Sequence, residues 1–140
     1  MSGAKVYCAA LVVLVLLSAG CNGSKMKVSG QVTFSDDGSP LTVGMVVMES
    51  GTTRVSGKLD GKGNFKLGEL NDGDGVPFGE YKVCIAGCRE TLPSGFPGEY
   101  LIDSKFERPE HSGLTFVVKN DGPKTFDFKV DRPTKKLKLK

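Results

Sequence analysis

Apolar and polar side chains alternate with a period of two along most of the chain after residue 27. Alternation of this kind places successive side chains on opposite faces of a β-strand, whereas an amphipathic helix repeats every three to four residues. No segment after Cys21 shows the helical repeat. The pattern predicts seven short strands, which cover residues 28–34, 41–48, 53–59, 65–67, 81–85, 114–118 and 126–130.

Turn-forming residues separate these segments, and the chain contains 19 glycines and 7 prolines. The stretches 35–40 and 60–63 are rich in Asp, Gly, Ser and Pro, which is typical of tight turns between strands. None of the connections carries a helical pattern, which argues against a parallel sheet with crossover helices. The sequence therefore predicts an all-β fold, a single antiparallel β-sandwich of seven strands.

The first twenty residues have the three zones of a secretory signal peptide. Lys5 precedes an uncharged apolar run over residues 6–17, and small residues lead up to Cys21. This run is too short for a transmembrane helix, which needs about 20 apolar residues. Residues 17–21, Leu-Ser-Ala-Gly-Cys, resemble the lipobox of bacterial lipoproteins, although the leucine lies one position further from the cysteine than is usual. An ordinary secretory signal with an unmodified cysteine is the alternative.

The resemblance to bacterial lipoproteins implies cleavage after residue 20 and attachment of lipid to the thiol of Cys21. Several acyl chains on one residue anchor a protein stably, because each buried methylene contributes about 0.8 kcal/mol. We therefore expect a lipid-anchored protein of the cell envelope. Asn22 follows the cysteine, and by resemblance to Gram-negative lipoproteins a residue other than Asp there implies the outer membrane, facing the periplasm or the exterior.

A second resemblance covers the body of the chain, residues 26–131. Residues 57–65, Gly-Lys-Leu-Asp-Gly-Lys-Gly-Asn-Phe, and residues 79–83, Gly-Glu-Tyr-Lys-Val, are similar to the carboxypeptidase regulatory-like domain. The positions that match the family pattern are Asp60, Gly63, Phe65, Gly79, Tyr81 and Val83. Residues 28–32 resemble its first strand, and residues 112–116 and 126–128 resemble the ending found in small exported lipoproteins with this domain. The resemblance implies a transthyretin-like (prealbumin-like) Greek-key sandwich.

Charge and the histidine count bear on the class of function. The formal net charge is only +3 at pH 7, which together with export does not favour a nucleic-acid partner. His111 is the only histidine, so the sequence offers few of the side chains that a zinc site or a histidine-activated nucleophile requires. We expect the protein to have no enzymatic activity and to bind no cofactor. The sequence predicts a non-catalytic binding or structural module whose partner is an unidentified envelope protein or glycan.

Calcium is the one metal that the sequence suggests. Asn71, Asp72 and Asp74 stand in a glycine-rich stretch, and their oxygens could serve as Ca²⁺ ligands. The spacing does not fit an EF-hand, because Val76 occupies a ligand position and no Glu closes the loop. A solvated turn capped by its own Asp side chains is the competing interpretation. A calcium-dependent adhesion or glycan-binding module, using residues 71–75 and 87–113, is the alternative function.

Residues 87–113 form the longest stretch without periodicity. Long loops in compact domains often carry function, and exposed aromatic and arginine side chains anchor partners. The candidate binding surface consists of Phe96, Tyr100, Phe106, Arg108 and His111. The competing interpretation is that these aromatic side chains pack on the sandwich as a cover.

Cys84 and Cys88 are the two cysteines left after the signal peptide and Cys21. An oxidising compartment and an even count favour a disulfide between them. The bond requires the chain to reverse at Gly87, because four residues of extended strand separate the two Cα atoms by about 13 Å. Two free buried thiols are the alternative.

The sequence divides the chain into four parts. These are a signal peptide (1–20), a lipidated linker (21–25), the sandwich (26–131) and a basic C-terminal tail (132–140). The tail is rich in lysine and could be attracted to an anionic membrane by about 1 kcal/mol per lysine. A solvated terminus is the competing interpretation.

Overall fold

The structure is a computed structural model that describes residues 24–134. The predicted signal peptide, Cys21 and the last part of the predicted basic tail lie outside the described residues. Within residues 24–134, no helix is long and apolar enough to span a bilayer. This part of the chain contains eleven strands and one 3-10 helix: β1 (Lys25–Met26), β2 (Ser29–Phe34), β3 (Met45–Ser50), β4 (Thr53–Lys58), β5 (Asn64–Lys66), β6 (Val76–Pro77), β7 (Gly79–Ala86), β8 (Arg89–Thr91), β9 (Pro97–Tyr100), the 3-10 helix (Ser104–Glu107), β10 (Leu114–Val118) and β11 (Thr125–Val130).

Two main sheets build the domain, which confirms the all-β prediction. One sheet has four strands in the order β10-β7-β3-β4, and the other has three in the order β11-β2-β5. All seven predicted segments form strands of these sheets. The four further strands are short and form two small sheets, β1 with β6 and β8 with β9.

The alternating residues bury one side chain in two, as the sequence pattern predicted. In β2 the buried positions are Gly30, Val32 and Phe34, and the residues between them are only partly covered. Side chains of both main sheets meet in one hydrophobic cluster, in which Tyr81 and Phe128 are among the largest fully buried side chains. Burying one such side chain contributes about 1.5–3 kcal/mol, so this cluster is the main source of stability.

Aromatic rings connect the two main sheets at the side where β10 faces β11. The ring centroids of Phe116 on β10 and Phe126 on β11 lie 4.4 Å apart. Phe126 also contacts Phe128, with centroids 4.8 Å apart, and Phe128 stacks with Phe65 at 5.9 Å. Tilted and offset aromatic pairs at these distances add to the energy of burial.

The purely antiparallel arrangement that the sequence predicted is wrong at one pair of strands. β11 pairs with β2 in parallel, from Thr125 opposite Ser29 to Val130 opposite Phe34. The direction follows from the path of the chain. β10 runs antiparallel to β7 and ends beside Gly79, so the turn at residues 119–124 starts β11 at the same end of the sandwich as β2.

The sandwich has two ends, which the register of the strands defines. The residue-24 end contains β1, the turn at residues 51–52, the loop at residues 67–78 and the turn at residues 119–124. The hairpin end contains Gly44, the turn at residues 60–63 and the hairpin of β8 and β9. β7 runs from the first end to the second over eight residues, a rise of about 26 Å.

Candidate functional site

The segment from Gly87 to Gly113, predicted to be a structureless loop, has its own secondary structure. It forms the β8–β9 hairpin and the 3-10 helix, and three of its side chains, Cys88, Ile102 and Phe106, belong to the hydrophobic cluster. These elements were not predicted, because three or four residues are too few to establish a periodic pattern. The aromatic cover considered as the alternative is therefore correct for part of this segment.

Three of the five predicted binding residues line one groove. Tyr100, Arg108 and His111 surround a groove of about 550 Å³ together with Ser104, Lys105 and Glu107. Tyr100 also lines an adjoining groove of about 570 Å³ with Arg132 and Pro133. Tyr100 therefore stands between two open grooves at the hairpin end.

Tyr100 is held by the strand opposite. Arg89 of β8 pairs with Tyr100 of β9, and its guanidinium carbon lies 3.7 Å from the centroid of the tyrosine ring. The same guanidinium donates a hydrogen bond to the tyrosine hydroxyl. A cation over an aromatic face contributes about 0.5–1 kcal/mol at exposed sites. The ring is thus fixed in place while 38% of its surface remains exposed.

The 3-10 helix is fixed from both sides. The carboxylate of Asp103 accepts a hydrogen bond from the backbone N–H of Lys105 at 3.0 Å, which caps the first turn. The backbone N–H of Asp103 donates to the carbonyl of Asp131 at 2.8 Å, and Nζ of Lys105 bonds the Asp131 carboxylate at 2.8 Å. The pKa of Lys105 is raised by this hydrogen bond, and the pKa of Asp131 is lowered by its bonds to Lys105 and Ser35.

The prediction of Phe106 as a surface residue is wrong. Phe106 is 5% exposed and packs in the hydrophobic cluster. The short turn begun by Asp103 directs this side chain toward the sandwich and leaves its neighbour Lys105 exposed. Phe106 therefore belongs to the core and is not among the residues that line the groove.

Phe96 lies apart from the groove, at the tip of the hairpin. It is 70% exposed, and Leu92 beside it is 41% exposed. The tip is closed by a backbone hydrogen bond from Leu92 N to Phe96 O at 3.2 Å, and Gly95 has a φ of 80°, which suits glycine. The structure thus splits the predicted surface into an apolar tip and a groove lined by charged side chains.

Sequence reasoning missed Arg89, Leu92 and Arg132. Arg132 was assigned to a solvated or membrane-attracted tail, yet it bonds the carboxylates of Asp36 and Asp37 at 2.9 and 3.2 Å and lies over the ring of Phe34 at 3.7 Å. Bonds from Ser39, together with Arg132, lower the pKa of Asp37 to about 2. The prolines after Leu92 and Phe96 were the available signal for an exposed turn carrying apolar side chains.

Neither Ser112 nor His111 forms part of a nucleophilic pair. The hydroxyl of Ser112 is buried and donates to the carbonyl of Val83, and the backbone N–H of Leu114 donates to it at 3.2 Å. His111 is exposed at the rim of the groove. Ser112 thus fixes the start of β10 on β7.

The loop proposed to bind calcium forms a turn. One oxygen of the Asp74 carboxylate accepts the backbone N–H of Asn71 at 2.9 Å and its side-chain amide at 3.4 Å. Asp72 lines a groove with Lys66 and Ser29 on the outer face of the three-stranded sheet. Within the described part of the chain, no three His, Cys, Asp or Glu side chains come together to hold a metal ion. The calcium site stays a prediction.

The disulfide favoured by the sequence is not formed in the structure. Cys84 and Cys88 are free, buried thiols, as in the alternative interpretation. The chain does bend at Gly87, with a φ of 71°, but Cys84 remains in the ladder opposite Val47 while Cys88 joins the hydrophobic cluster. Burial raises the pKa of Cys84 to about 11 and that of Cys88 to about 12.

A further groove of the described residues was not predicted. It has a volume of about 620 Å³ and lies on the outer face of the three-stranded sheet. Its polar side chains bond nearby groups of the protein: Gln31 donates to the carbonyl of Lys62 at 2.8 Å, and Asp127 accepts from the backbone of Gln31 at 3.2 Å. Asp60 closes its own turn by accepting the backbone N–H groups of Lys62 and Asn64.

Comparison with known proteins gives structural neighbours alone. No family model matches the chain, and no curated protein matches it. The major pilin subunit of Bacillus cereus is similar in structure, with a TM-score of 0.48, 12% identity, and coverage of 79% of this chain and 30% of the pilin. A DUF3823 family protein from Bacteroides ovatus has a TM-score of 0.46 and 15% identity, covering 78% and 45%. A 9R-lipoxygenase from Cyanothece has a TM-score of 0.36 and 18% identity, covering 75% and 16%. This chain spans less than half the length of each.

Proposed function

We propose that the chain is a lipid-anchored, non-catalytic binding module of the cell envelope. The order of residues 1–21 carries this proposal: a lysine, an uncharged apolar run, three small residues and then Cys21. Cleavage before Cys21 and lipidation of its thiol would leave the sandwich attached to lipid through a short linker. The protein would then stay at a membrane, in our proposal the outer membrane, without a segment crossing it.

We also assign the body of the chain to the carboxypeptidase regulatory-like domain with the transthyretin-like Greek-key connection. The positions that carry the resemblance have the structural roles that such a motif needs. Asp60 accepts two backbone N–H groups of its turn, and Gly63 has a φ of 75°. Phe65 and Tyr81 are buried at 2% and 1% exposure. These roles are those of a structural scaffold, which supports the assignment.

The hairpin end is the proposed binding surface. Leu92 and Phe96 offer apolar area at the tip, and Tyr100 with Arg89 offers a fixed aromatic ring and a cation. Neither Arg89 nor Arg108 forms an ion pair with a carboxylate of residues 24–134. Exposed aromatic and arginine side chains of this kind anchor protein partners. The partner would be an envelope protein with apolar and acidic groups.

The positions of the two loops favour the hairpin end as a binding surface that does not depend on calcium. Loop 71–75 lies beside β1 at the residue-24 end, where a Cβ on Gly75 would be 3.3 Å from Cβ of Lys25. The hairpin lies at the opposite end, so the two loops of the calcium-dependent alternative do not form one site.

The lipid anchor is tested by mass spectrometry of the N-terminal peptide isolated from membranes of the producing bacterium. We expect a peptide that begins at Cys21 and carries the mass of several acyl chains. In Cys21→Ser the acyl mass should be lost and the protein should leave the membrane fraction. An unmodified peptide that begins elsewhere would contradict the proposal.

The binding surface is tested by cross-linking in intact cells. A photoreactive amino acid in place of Ser94, beside the hairpin tip, should form a discrete adduct, and Phe96→Ala should reduce its yield. Val117→Ala is the matched control, because Val117 is 47% exposed on β10, away from the hairpin. An adduct that is equally reduced by both changes, or by neither, would reject the hairpin tip as the contact.

A further inference from the structure

Two large apolar side chains are exposed at the residue-24 end. Leu70 is 91% exposed in the loop before β6, and Phe78 is 42% exposed between β6 and β7. Single apolar side chains are common on protein surfaces, but two at one end form a small patch when they project beside the same strand. Both residues lie at the end of the sandwich where the described residues begin.

Both residues are connected to residues 24 and 25, Phe78 through its own backbone and Leu70 through the residue before it. The backbone N–H of Phe78 donates to the carbonyl of Ser24 at 3.3 Å. β1 and β6 pair Lys25 with Pro77, the residue before Phe78. Nζ of Lys25 forms an ion pair with Glu69, the residue before Leu70. Phe78 therefore lies directly beside the strand through which the chain enters the domain, and Leu70 follows the residue whose side chain pairs with that strand.

Cys21 is close to this patch in the sequence. Only two residues, Asn22 and Gly23, lie between Cys21 and Ser24, and the three Cα-to-Cα steps between Cys21 and Ser24 span at most about 11 Å. If lipid is attached at Cys21, the bilayer surface lies within this distance of Ser24. The residue-24 end then meets the membrane before any other part of the domain. This step depends on the lipid anchor proposed above.

We propose that Leu70 and Phe78 insert into the interface of the phospholipid bilayer and fix the domain upright, with the hairpin end facing away. Apolar side chains in such a position sit between the headgroups and the acyl chains. Without this contact, the short linker would restrict the distance of the domain from the membrane but leave its tilt free. With it, the binding surface is held about 26 Å from the bilayer, the rise of β7.

Charge at this end favours apolar contact over electrostatic attraction. Residues 24–28, 67–78 and 119–124 contain Lys25, Lys27, Lys119 and Lys124, and they contain Glu69, Asp72, Asp74 and Asp121. Four cations thus balance four anions, and the end has no net charge to attract an anionic surface. The insertion is therefore expected in zwitterionic phosphatidylcholine and at high salt.

The test uses the full lipidated chain reconstituted in phosphatidylcholine vesicles that contain a lipid with a quencher near the headgroup. An environment-sensitive fluorophore is attached at Thr52→Cys, on the exposed turn of the residue-24 end, or at Ser94→Cys on the hairpin tip. We expect about threefold stronger quenching at position 52 than at position 94, because interfacial groups lie within about 10 Å of the acyl boundary. Equal quenching at the two positions would overturn the proposal.

The double variant Leu70→Ser/Phe78→Ser separates insertion from tethering. Both side chains are exposed, so the fold should be retained, and circular dichroism checks this. Quenching at position 52 should fall toward the value at position 94 while the protein still floats with the vesicles. Unchanged quenching in this variant would mean that the tether alone holds the domain, and it would overturn the inserted patch. Failure of the unmodified chain to float would reject the lipid anchor and, with it, this proposal.

Discussion

The two ends of the sandwich differ in how their loops are fixed. At the hairpin end, side chains fasten the loops: Asp103 caps the 3-10 helix, Lys105 bonds Asp131, and Arg132 bonds Asp36 and Asp37. At the residue-24 end fewer side chains do this: Lys25 pairs with Glu69, and Asp74 accepts the backbone N–H of Asn71 within one loop. One core thus supports an end whose loops are held by several side-chain bonds and an end whose loops are held by fewer.

The prediction with the largest expected effect tests whether the two ends of the sandwich unfold together because they share one core. Phe65 is 2% exposed, and Phe65→Ala should lower the free energy of unfolding by about 3–5 kcal/mol through lost burial and a cavity. Urea denaturation of a soluble form from residue 24 onward should show this loss, with fluorophores at positions 52 and 94 reporting the same midpoint. Half-buried Phe126 is the comparison, and Phe126→Ala should cost less. Separate midpoints for the two fluorophores would break the picture of a single core.

Phe106→Ala should destabilise the hairpin end more than the residue-24 end. Its ring packs in the hydrophobic cluster at 5% exposure, and its removal should lower the free energy of unfolding by about 3 kcal/mol, at the lower end of Phe-to-Ala effects. Hydrogen exchange should rise in residues 101–112 and change little in β1 and β6. Lys105→Ala, which removes an exposed ion pair, serves as the control with a small effect. Uniform exchange across both ends would show that the segment is not an independent unit.

The cysteines provide a chemical measure of the hairpin end. With a pKa of about 11 for Cys84 and about 12 for Cys88, the folded thiols should react about a hundredfold more slowly with iodoacetamide at pH 8 than after unfolding. Mass spectrometry of the alkylated, unreduced protein counts the labels on these two residues. Two labels after denaturation are expected. No label without prior reduction would restore the disulfide that the sequence favoured.

Acid should destabilise the hairpin end before it destabilises the residue-24 end. The pKa values of Asp37, Asp60 and Asp131 are lowered by hydrogen bonds within turns and by Lys105 or Arg132. A carboxylate with a lowered pKa stabilises the fold above its unfolded pKa of about 3.9, and this contribution is lost as the pH falls toward its folded pKa. Between pH 4 and about 2, the limit set by Asp37, hydrogen exchange should rise in residues 35–39, 60–64 and 131. Equal sensitivity at residues 25–28 would contradict the comparison.

The strands could be predicted from the sequence because burial of one face imposes the alternation itself. Val32 and Phe34, or Phe116 and Val118, could not change faces without exposing the core. The direction of β11 could not be predicted in this way, because alternation is the same in a parallel and an antiparallel strand. It depends on which end of the sandwich the chain enters, and the turn at residues 119–124 decides that.

The candidate site was predictable in its location and not in its details. Phe96 and Phe106 are the same residue type in a stretch without periodicity, so the sequence does not distinguish them. In the structure Phe96 is exposed at the hairpin tip and Phe106 is buried. A three-residue arrangement makes the difference: the carboxylate of Asp103 caps a single helical turn and thereby directs Phe106 inward. Cys84 and Cys88 show the same limit, since their spacing does not reveal which of them faces the hydrophobic cluster.

The parallel pairing of β2 and β11 has a mechanical consequence. The chain enters β2 at one end of the sandwich and leaves β11 at the other, and the two strands are in register over six pairs. Tension between a fixed amino-terminal anchor and a load near residue 131 would run along both strands in opposite senses. All of the hydrogen bonds between them would then have to shear together and could not open one after another. The pairing of β2 and β11 would therefore resist separation under such a load.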